Sequence, residues 1–305
     1  MGAARRTSRP GHRRSEPGRR RHPDRDRVAG NSRKLTEPPA DRAIPADLTA
    51  SEETKLITNL HGSTALVTGA SSGIGLASAR LLARLGTTVA VSARRVPELE
   101  SLAEELGNGA IAIEADISDE TSATAAVVTA WQKLGHIDIL IHAAGIVTPA
   151  PISELTPALW RRHLDVNLSG AFYVMRQCGL RMRERAAGSI VAVASDLSFN
   201  GMENYAHYCA SKAGLAGFAK ALALELAPNV RVNCVCPGPV DTPIMESELQ
   251  WFGGTPQVRE SAVAQVPLKR FATPEEIARF IVFVASEATF ATGSMLSTDG
   301  GTTAR

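Results

Sequence analysis

The chain has 305 residues, 44% of them hydrophobic, which is material for one large or two ordinary domains with an ample buried core. No apolar run approaches the ~20 residues of a membrane-spanning helix, so a membrane-embedded class is excluded. The four cysteines (Cys178, Cys209, Cys234, Cys236) have neither metal-site spacing nor a secreted disulfide framework. They read as reduced thiols of a cytoplasmic protein, with no metal expected.

The net charge of +2 is unevenly spread. Residues 1–34 carry twelve Arg or Lys against three acids (Glu16, Asp24, Asp26), a balance of +9 that leaves −7 for the remainder. With several prolines and almost nothing to bury, this stretch is expected to be disordered. A nucleic-acid arm, a polybasic membrane patch and a targeting segment are the functional alternatives. The absence of any aromatic to stack on a base counts against the first, and the lack of an amphipathic pattern against the last. The plainer reading is an extension without a role, such as an early start codon would produce. With Pro38, Pro39 and Pro45 marking a linker, 1–59 is assigned to extension and linker, and 60–305 to one folded domain.

That domain opens with Thr64–Thr68, an apolar run that reads as a buried strand. A glycine-rich turn, Gly69-Ala70-Ser71-Ser72-Gly73-Ile74-Gly75, follows at once, and then a helical pattern through Leu85. Strand, glycine turn and helix in that order make a dinucleotide-binding opening. Glycines let the backbone approach a pyrophosphate, and the helix N-terminus offers it unpaired N–H groups. The turn reads Gly-x-x-x-Gly-x-Gly, and from Thr68 to Gly75 it strongly resembles the fingerprint of the short-chain dehydrogenase/reductase family. The resemblance extends over roughly residues 60–302. It implies a doubly wound, Rossmann-type parallel α/β sheet binding a nicotinamide dinucleotide.

The second strand, Thr88–Ser92, runs into Ala93-Arg94-Arg95. An acid at this distance from the glycines would bind ribose hydroxyls and select NAD. Ala93 cannot, whereas Arg94, with Arg95 beside it, is suited to a 2′-phosphate, which favours NADP(H). Against that, Ser72 stands where many NADP-using relatives have a basic residue, and Arg94 and Arg95 also read as plain surface charges. A helix near Pro97–Leu106 and a strand near Ala110–Ala115 come next. That strand ends in Asp116-Ile117, which resembles the family's adenine-binding pair. A helix over Glu120–Leu134 and a strand over Ile137–Ile141 lead to His142-Ala143-Ala144-Gly145, where the family usually has Asn-Asn-Ala-Gly. Ala143, Ala144 and Gly145 still admit the cofactor. His142 is read as a structural substitute for the asparagine, not as a base or ligand.

Thr156-Pro157 signals a helix start. Within that helix Asn167 resembles the asparagine that interrupts helical bonding and holds a water linking the active-site lysine to solvent. A fifth strand, Ser189–Ala194, delivers Ser195 at its C-terminal end, where its hydroxyl can hold a substrate oxygen. On a helix from about Tyr208 to Ala227, Tyr208 and Lys212 lie one turn apart on one face. An ammonium beside a phenol lowers the phenol's usual pKa of about 10 and fits it for acid/base work. Tyr205 has no lysine four residues on, so the role falls to Tyr208. Phe199, Met202, Glu203 and Asn204 are expected in the substrate wall.

A sixth strand, Val230–Cys236, has Cys234 and Cys236 pointing to one face as small core residues. It leads to Pro237, Gly238, Val240 and Thr242, which resemble the loop that holds the nicotinamide carboxamide. Ile244–Gln265 matches the family's variable, mobile flap, where Met245, Leu249, Trp251 and Phe252 hint at an apolar substrate portion or at packing. A last helix from Pro274 and a seventh strand within 292–301 complete the pattern. The resemblance implies a homotetramer built on the helices around 157–185 and 208–227. It also implies hydride transfer between NADP(H) and a small carbonyl/alcohol substrate, a 3-oxoacyl thioester being the leading choice. An NAD-dependent sugar, polyol or hydroxysteroid dehydrogenase, a nucleotide sensor and a nucleic-acid binder remain as alternatives.

Overall fold

Five of the seven strands are buried along nearly their whole length, which only a sheet covered on both faces allows. A computed structural model describes residues 60–304; the basic extension and linker expected over 1–59 lie outside the described residues. The strands are β1 (Thr64–Thr68), β2 (Thr88–Ala93), β3 (Ile111–Glu114), β4 (Ile139–His142), β5 (Gly188–Val193), β6 (Val230–Pro237) and β7 (Met295–Thr298). They form one parallel sheet in the order β3-β2-β1-β4-β5-β6-β7.

The helices alternate with the strands, as right-handed parallel crossovers require. They are α1 (Gly73–Arg84), α2 (Val96–Leu106), α3 (Glu120–Leu134), α4 (Pro157–Leu164), α5 (Gly170–Arg185), α6 (Ala206–Leu226), α7 (Pro243–Trp251), α8 (Pro256–Gln265) and α9 (Pro274–Ser286). Because side chains alternate across a strand, the sheet divides the core in two. Leu66, Leu140, Ile190, Val232, Cys234 and Cys236 pack on α3, α5 and α6. Val67, Val89, Ile141, Val191 and Val235 pack on α1, α2 and α9. Cys234 and Cys236 thus share a face as expected. All four cysteines are free thiols, and burial pushes those of Cys234 and Cys236 up to about 12 and about 11.

Two helical regions gain detail from the structure. The interruption of helical bonding that the resemblance implies at Asn167 takes the form of a π turn over Asp165–Ser169, in which the Gly170 N–H reaches the Asp165 carbonyl. The stretch expected as a flap folds as α7 and α8, each with a threonine cap and a proline in its first turn. Leu249, Val266 and Phe271 form a small apolar cluster beneath them, with Met245 and Val258 against it.

The strand order reverses between β1 and β4, so their C-terminal ends diverge and open a crevice. At the opposite end of the sheet, where β5 and β6 begin, Arg231 ties the last helix to the strands. The half-buried guanidinium donates to the carbonyls of Val284 (2.9 Å), Ala285 (2.5 Å) and Ala288 (3.0 Å), and to Ser189 Oγ (3.1 Å). Arg231 therefore satisfies the carbonyl end of α9 and ties it to β5 and β6. Hydrogen bonds to charged groups contribute about 1.5–3 kcal/mol each, and several are lost together. Arg231→Ala is expected to lower stability by at least ~3 kcal/mol in urea unfolding, and Arg231→Lys to recover only part of it. An Ala variant within ~1 kcal/mol of the parent would contradict this account.

Candidate active site

Beyond the end of β5, Ser195 caps a short turn over Asp196–Ser198. The Leu197 N–H donates to Ser195 Oγ (3.1 Å), and Ser195 Oγ donates in turn to Asp196 Oδ1 (3.0 Å). Tyr208 and Lys212 lie in the first two turns of α6. Tyr208 lies close enough to Ser195 for the serine hydroxyl to work against the rise in its pKa. Lys212 is 5% exposed; its Nζ donates to the Val193 carbonyl (2.8 Å) and lies 5.8 Å from the Tyr208 ring centroid. The three side chains that the sequence singled out meet at one strand end.

Asn167 sits in the π turn and is wholly buried. Its Nδ2 donates to the Ile146 carbonyl (2.9 Å) and to Ser211 Oγ (3.0 Å), while its Oδ1 accepts from the Ile146 N–H (2.8 Å). One acceptor site of Oδ1 remains. Oδ1 and Lys212 Nζ both lie over the bare Cα of Gly145, where a Cβ would stand 3.3 Å and 3.4 Å from them. A side chain at 145 would crowd both groups.

The electrostatics differ in one respect from expectation. Tyr208 is not brought down by its lysine. Burial raises its pKa first, the negative charge of Glu248 adds to this, and the Ser195 hydroxyl opposes it. Lys212 is itself lowered to about 8 by burial, so near that pH it holds only part of a charge with which to act on the phenol. His142 is fully buried, and burial followed by the Lys212 charge pushes it down to about 3. It is a neutral imidazole, and Nδ1 meets Thr68 Oγ1 (3.0 Å) across the Thr68–His142 register pair, tying β1 to β4. Tyr205 is 3% exposed, and burial, followed by the negative charge of Glu248, raises its pKa and keeps it a neutral phenol.

A dinucleotide fits the residues at the other end of the crevice. The glycine turn is packed so closely that a Cβ on Gly69 would lie 2.6 Å from the Ala144 nitrogen, at a φ of +70°. That contact brings Gly69 alongside Ala143 and Ala144. A Cβ on Gly73 would reach Thr242 Cγ2 at 3.2 Å, so the loop Pro237, Gly238, Val240, Thr242 closes on the same turn. The N-terminus of α1, over Ser72, Ile74 and Gly75, has no side-chain cap and no acid in its first turn, which leaves its N–H groups for an anion. Arg95 Nη2 donates to Ser71 Oγ (3.0 Å), placing a guanidinium at the turn where Ser72 supplies no charge. Arg94 is exposed and its charge acts on Asp116. The Asp116 carboxylate accepts from the Ser118 N–H (3.0 Å) and Oγ (2.7 Å). Ile117 is 7% exposed and packs in the core, so little of its side chain is left for a ring to stack on.

Sequence reasoning missed Glu248 and the link between Asp196 and the last strand's exit. Thr302 Oγ1 donates to Asp196 Oδ2 (2.7 Å) across 106 residues, a contact with no local signal. Glu248 is one acid in an amphipathic stretch, and only the inward turn of Met245 and Leu249 would have shown which way it points.

A doubly wound sheet with a glycine turn at its switch point and a Ser–Tyr–Lys group at the neighbouring strand end defines a nicotinamide-dependent oxidoreductase. A family model described as enoyl-(acyl carrier protein) reductase matches residues 69–303. The chain is 38% identical over 246 residues to the cis-4-hydroxycyclohexanecarboxylate dehydrogenase of Sinomonas cyclohexanicum, covering 79% of this chain and 96% of that one. It is 37% identical over 247 residues to a 3-oxoacyl-[acyl-carrier-protein] reductase of Thermotoga maritima, covering 79% and 98%. Among solved structures, an NAD(P)-dependent gluconate 5-dehydrogenase from Beutenbergia cavernae, described with bound NADP, superposes with a TM-score of 0.75 at 36% identity, covering 81% and 99%. The chain belongs to the short-chain dehydrogenase/reductase family and acts on carbonyl/alcohol pairs. No helix among the described residues is long and apolar enough to cross a membrane.

Because burial keeps the proton on Tyr208, the substrate-free protein is expected to hold a neutral phenol there through pH 9. The difference in 295 nm absorbance between the parent and Tyr208→Phe should show no tyrosinate below about pH 10, the value for a free phenol. A difference appearing near pH 7 would show that Lys212 outweighs burial.

Proposed function

We propose that the chain is an NADP(H)-dependent carbonyl reductase and alcohol dehydrogenase in which Ser195, Tyr208, Lys212 and Asn167 are the working group. The observation that carries this reading is the meeting of Ser195, Tyr208 and Lys212 at the end of β5, on the same crevice as the uncapped glycine turn. Gly69, Ser71, Ser72, Gly73, Ile74 and Gly75 would hold the pyrophosphate. Arg94 and Arg95 would hold a 2′-phosphate, and Asp116 and Ile117 would border the adenine. Ala143, Ala144 and Gly145, with Tyr208 and Lys212, would take the nicotinamide ribose, and Pro237, Gly238, Val240 and Thr242 the carboxamide. When bound, the nicotinamide supplies a hydride to the carbonyl carbon, or takes one from the alcohol carbon.

The protein handles the proton. Ser195 and Tyr208 present two hydroxyls to the carbonyl oxygen, and both bonds strengthen as charge builds there. To donate, Ser195 exchanges Asp196 for the substrate oxygen. Tyr208, which burial keeps protonated, gives its proton to that oxygen. Lys212 then faces the phenolate, and its ammonium offsets the charge left behind. The proton returns from solvent through Lys212 and a water on the free acceptor site of Asn167. Oxidation reverses these transfers and begins from the phenolate, so it should rise with pH where reduction falls.

The two guanidiniums at the β2 end and the absence of an acid at Ala93 support NADP over NAD. Exposed Trp160, Phe172 and Leu224 lie on α4, α5 and α6, and exposed Phe283 and Phe290 lie on and just beyond α9. Two separate apolar faces of this kind support a homotetramer with two interfaces. Four free thiols fit the reducing cytoplasm.

Fluorescence titration with NADPH and NADH should show tighter NADPH binding, and Arg94→Ala should erase most of that preference. Equal binding, or a preference for NADH, would remove the cofactor assignment. With a carbonyl substrate, Tyr208→Phe is expected to cost about 10²–10⁴ in kcat. Ser195→Ala should cost about 10²–10³. Near-parental rates for both would remove the site assignment.

A further inference from the structure

A serine hydroxyl has one proton to give and two lone pairs to receive with. Ser195 is buried, points its proton at Asp196 Oδ1 (3.0 Å), and accepts from the Leu197 N–H (3.1 Å). What it has left for the crevice is a single acceptor site. A carbonyl oxygen is itself an acceptor, so Ser195 can hold it only after turning its proton away from Asp196. How firmly Asp196 keeps that proton therefore bears directly on reduction.

The other carboxylate oxygen, Oδ2, accepts from Thr302 Oγ1 (2.7 Å). Thr302 belongs to the turn that follows β7, and that turn is firmly built. The Asp299 carboxylate accepts from the N–H groups of Gly301 (2.9 Å) and Thr303 (3.0 Å) and from the Thr303 hydroxyl. The Leu268 N–H donates to the Gly300 carbonyl (3.2 Å), and a Cβ on Gly238 would stand 2.7 Å from the Asp299 carbonyl oxygen. Thr302 is thus presented to Asp196 by a braced segment. A hydrogen bond to a carboxylate stabilises its charged form and makes it a weaker base. Burial raises the Asp196 pKa first, and the Thr302 bond is the foremost influence against that rise. A less basic carboxylate grips the serine proton less tightly.

We propose that Thr302 is a positioning residue for the reaction: by satisfying Asp196 from behind, it frees the Ser195 proton for the substrate oxygen. This rests on the proposed function, in which Ser195 holds the reacting oxygen. The redox step is unchanged. Ser195 keeps its proton and only redirects it from Asp196 Oδ1 to the carbonyl oxygen, while Tyr208 gives the proton that the new alcohol retains. Without the Thr302 hydroxyl, Asp196 draws on the Ser195 proton harder. Reduction then slows although Ser195, Tyr208 and the cofactor loops are all in place.

The test uses the full chain with NADPH and whichever of ethyl acetoacetate and cyclohexanone the parent reduces faster. Thr302→Val keeps the bulk of the side chain and removes the donor. It should lower kcat by about 10-fold while NADPH affinity stays parental. Thr302→Ser, which restores the hydroxyl, should recover most of the loss. In Asp196→Asn, which has no carboxylate to grip the serine, adding Thr302→Val should cost less than about twofold. Thr303→Val takes a hydroxyl from the same turn without touching Asp196, and should leave kcat near the parental value. A parental rate in Thr302→Val, no recovery in Thr302→Ser, or an undiminished loss in the Asp196→Asn background overturns the proposal. So does an equal loss in Thr303→Val, since the turn as a whole would then be responsible. If Asp196→Asn does not fold or is too slow to assay, the comparison of Thr302→Ser with Thr303→Val decides. Tyr208→Phe separates the two levels. If it reduces the ketone at the parental rate, the underlying site has failed; if it loses the activity while Thr302→Val keeps it, only the role of Thr302 has.

Discussion

Lys212 is an ammonium lodged in the interior with only 5% of its surface exposed, and the architecture around it is arranged to make that tolerable. Burying a lone charge is among the most costly acts in folding, and a lysine meets the cost by losing part of its charge. Here the residue comes down to about 8 and retains one firm partner, the Val193 carbonyl at the end of β5. That carbonyl is where it is because β5 is clamped between β4 and β6 in parallel register. The space above the ammonium exists because residue 145 is glycine. Asn167 can turn its oxygen toward that space because α4 and α5 are joined by a π turn instead of continuing as one straight helix. Strand register, a missing Cβ and a helical irregularity converge on one cation.

The same burial sets the resting state of the chemistry. Tyr208 enters the reaction as an acid because its partial burial and the nearby carboxylates hold its proton in place. An unperturbed phenol in water would already favour the proton at neutrality, and this pocket deepens the preference. The lysine's contribution belongs to the moment when the phenolate exists, not to the free protein.

Much of this was legible in the chain. The helix over Glu120–Leu134 begins and ends where its apolar spacing and flanking turns put it, and β1 covers the five residues expected. Ser195, Tyr208 and Lys212 were legible because each sits at a position fixed by a regular element: a strand end or one turn of a helix. What escaped had no such local anchor. At Asn167 the resemblance implied a break in helical bonding, but nothing in the continuous helical pattern said that it would be a π turn. The contact of Thr302 with Asp196 joins residues 106 apart and depends on where β7 exits the sheet. Ile117 looked free to stack, but Gly170 lets α5 approach so closely that the isoleucine is taken into the core. The sign of the Tyr208 shift could not be read from a tyrosine–lysine spacing, because burial, not proximity, is the larger effect.

The charges of the crevice are also sorted along its length. Arg94 and Arg95 stand at the end of β2, while Asp196 and Glu248 stand past the ends of β5 and on α7. A molecule that is strongly anionic at one end and nearly neutral at the other would feel a torque in this field before touching the surface. It would tend to arrive phosphates first, with its neutral ring trailing toward the tyrosine. Fewer encounters would then be wasted on the reversed pose, and that advantage would fade as dissolved ions screen the two poles from the approaching molecule.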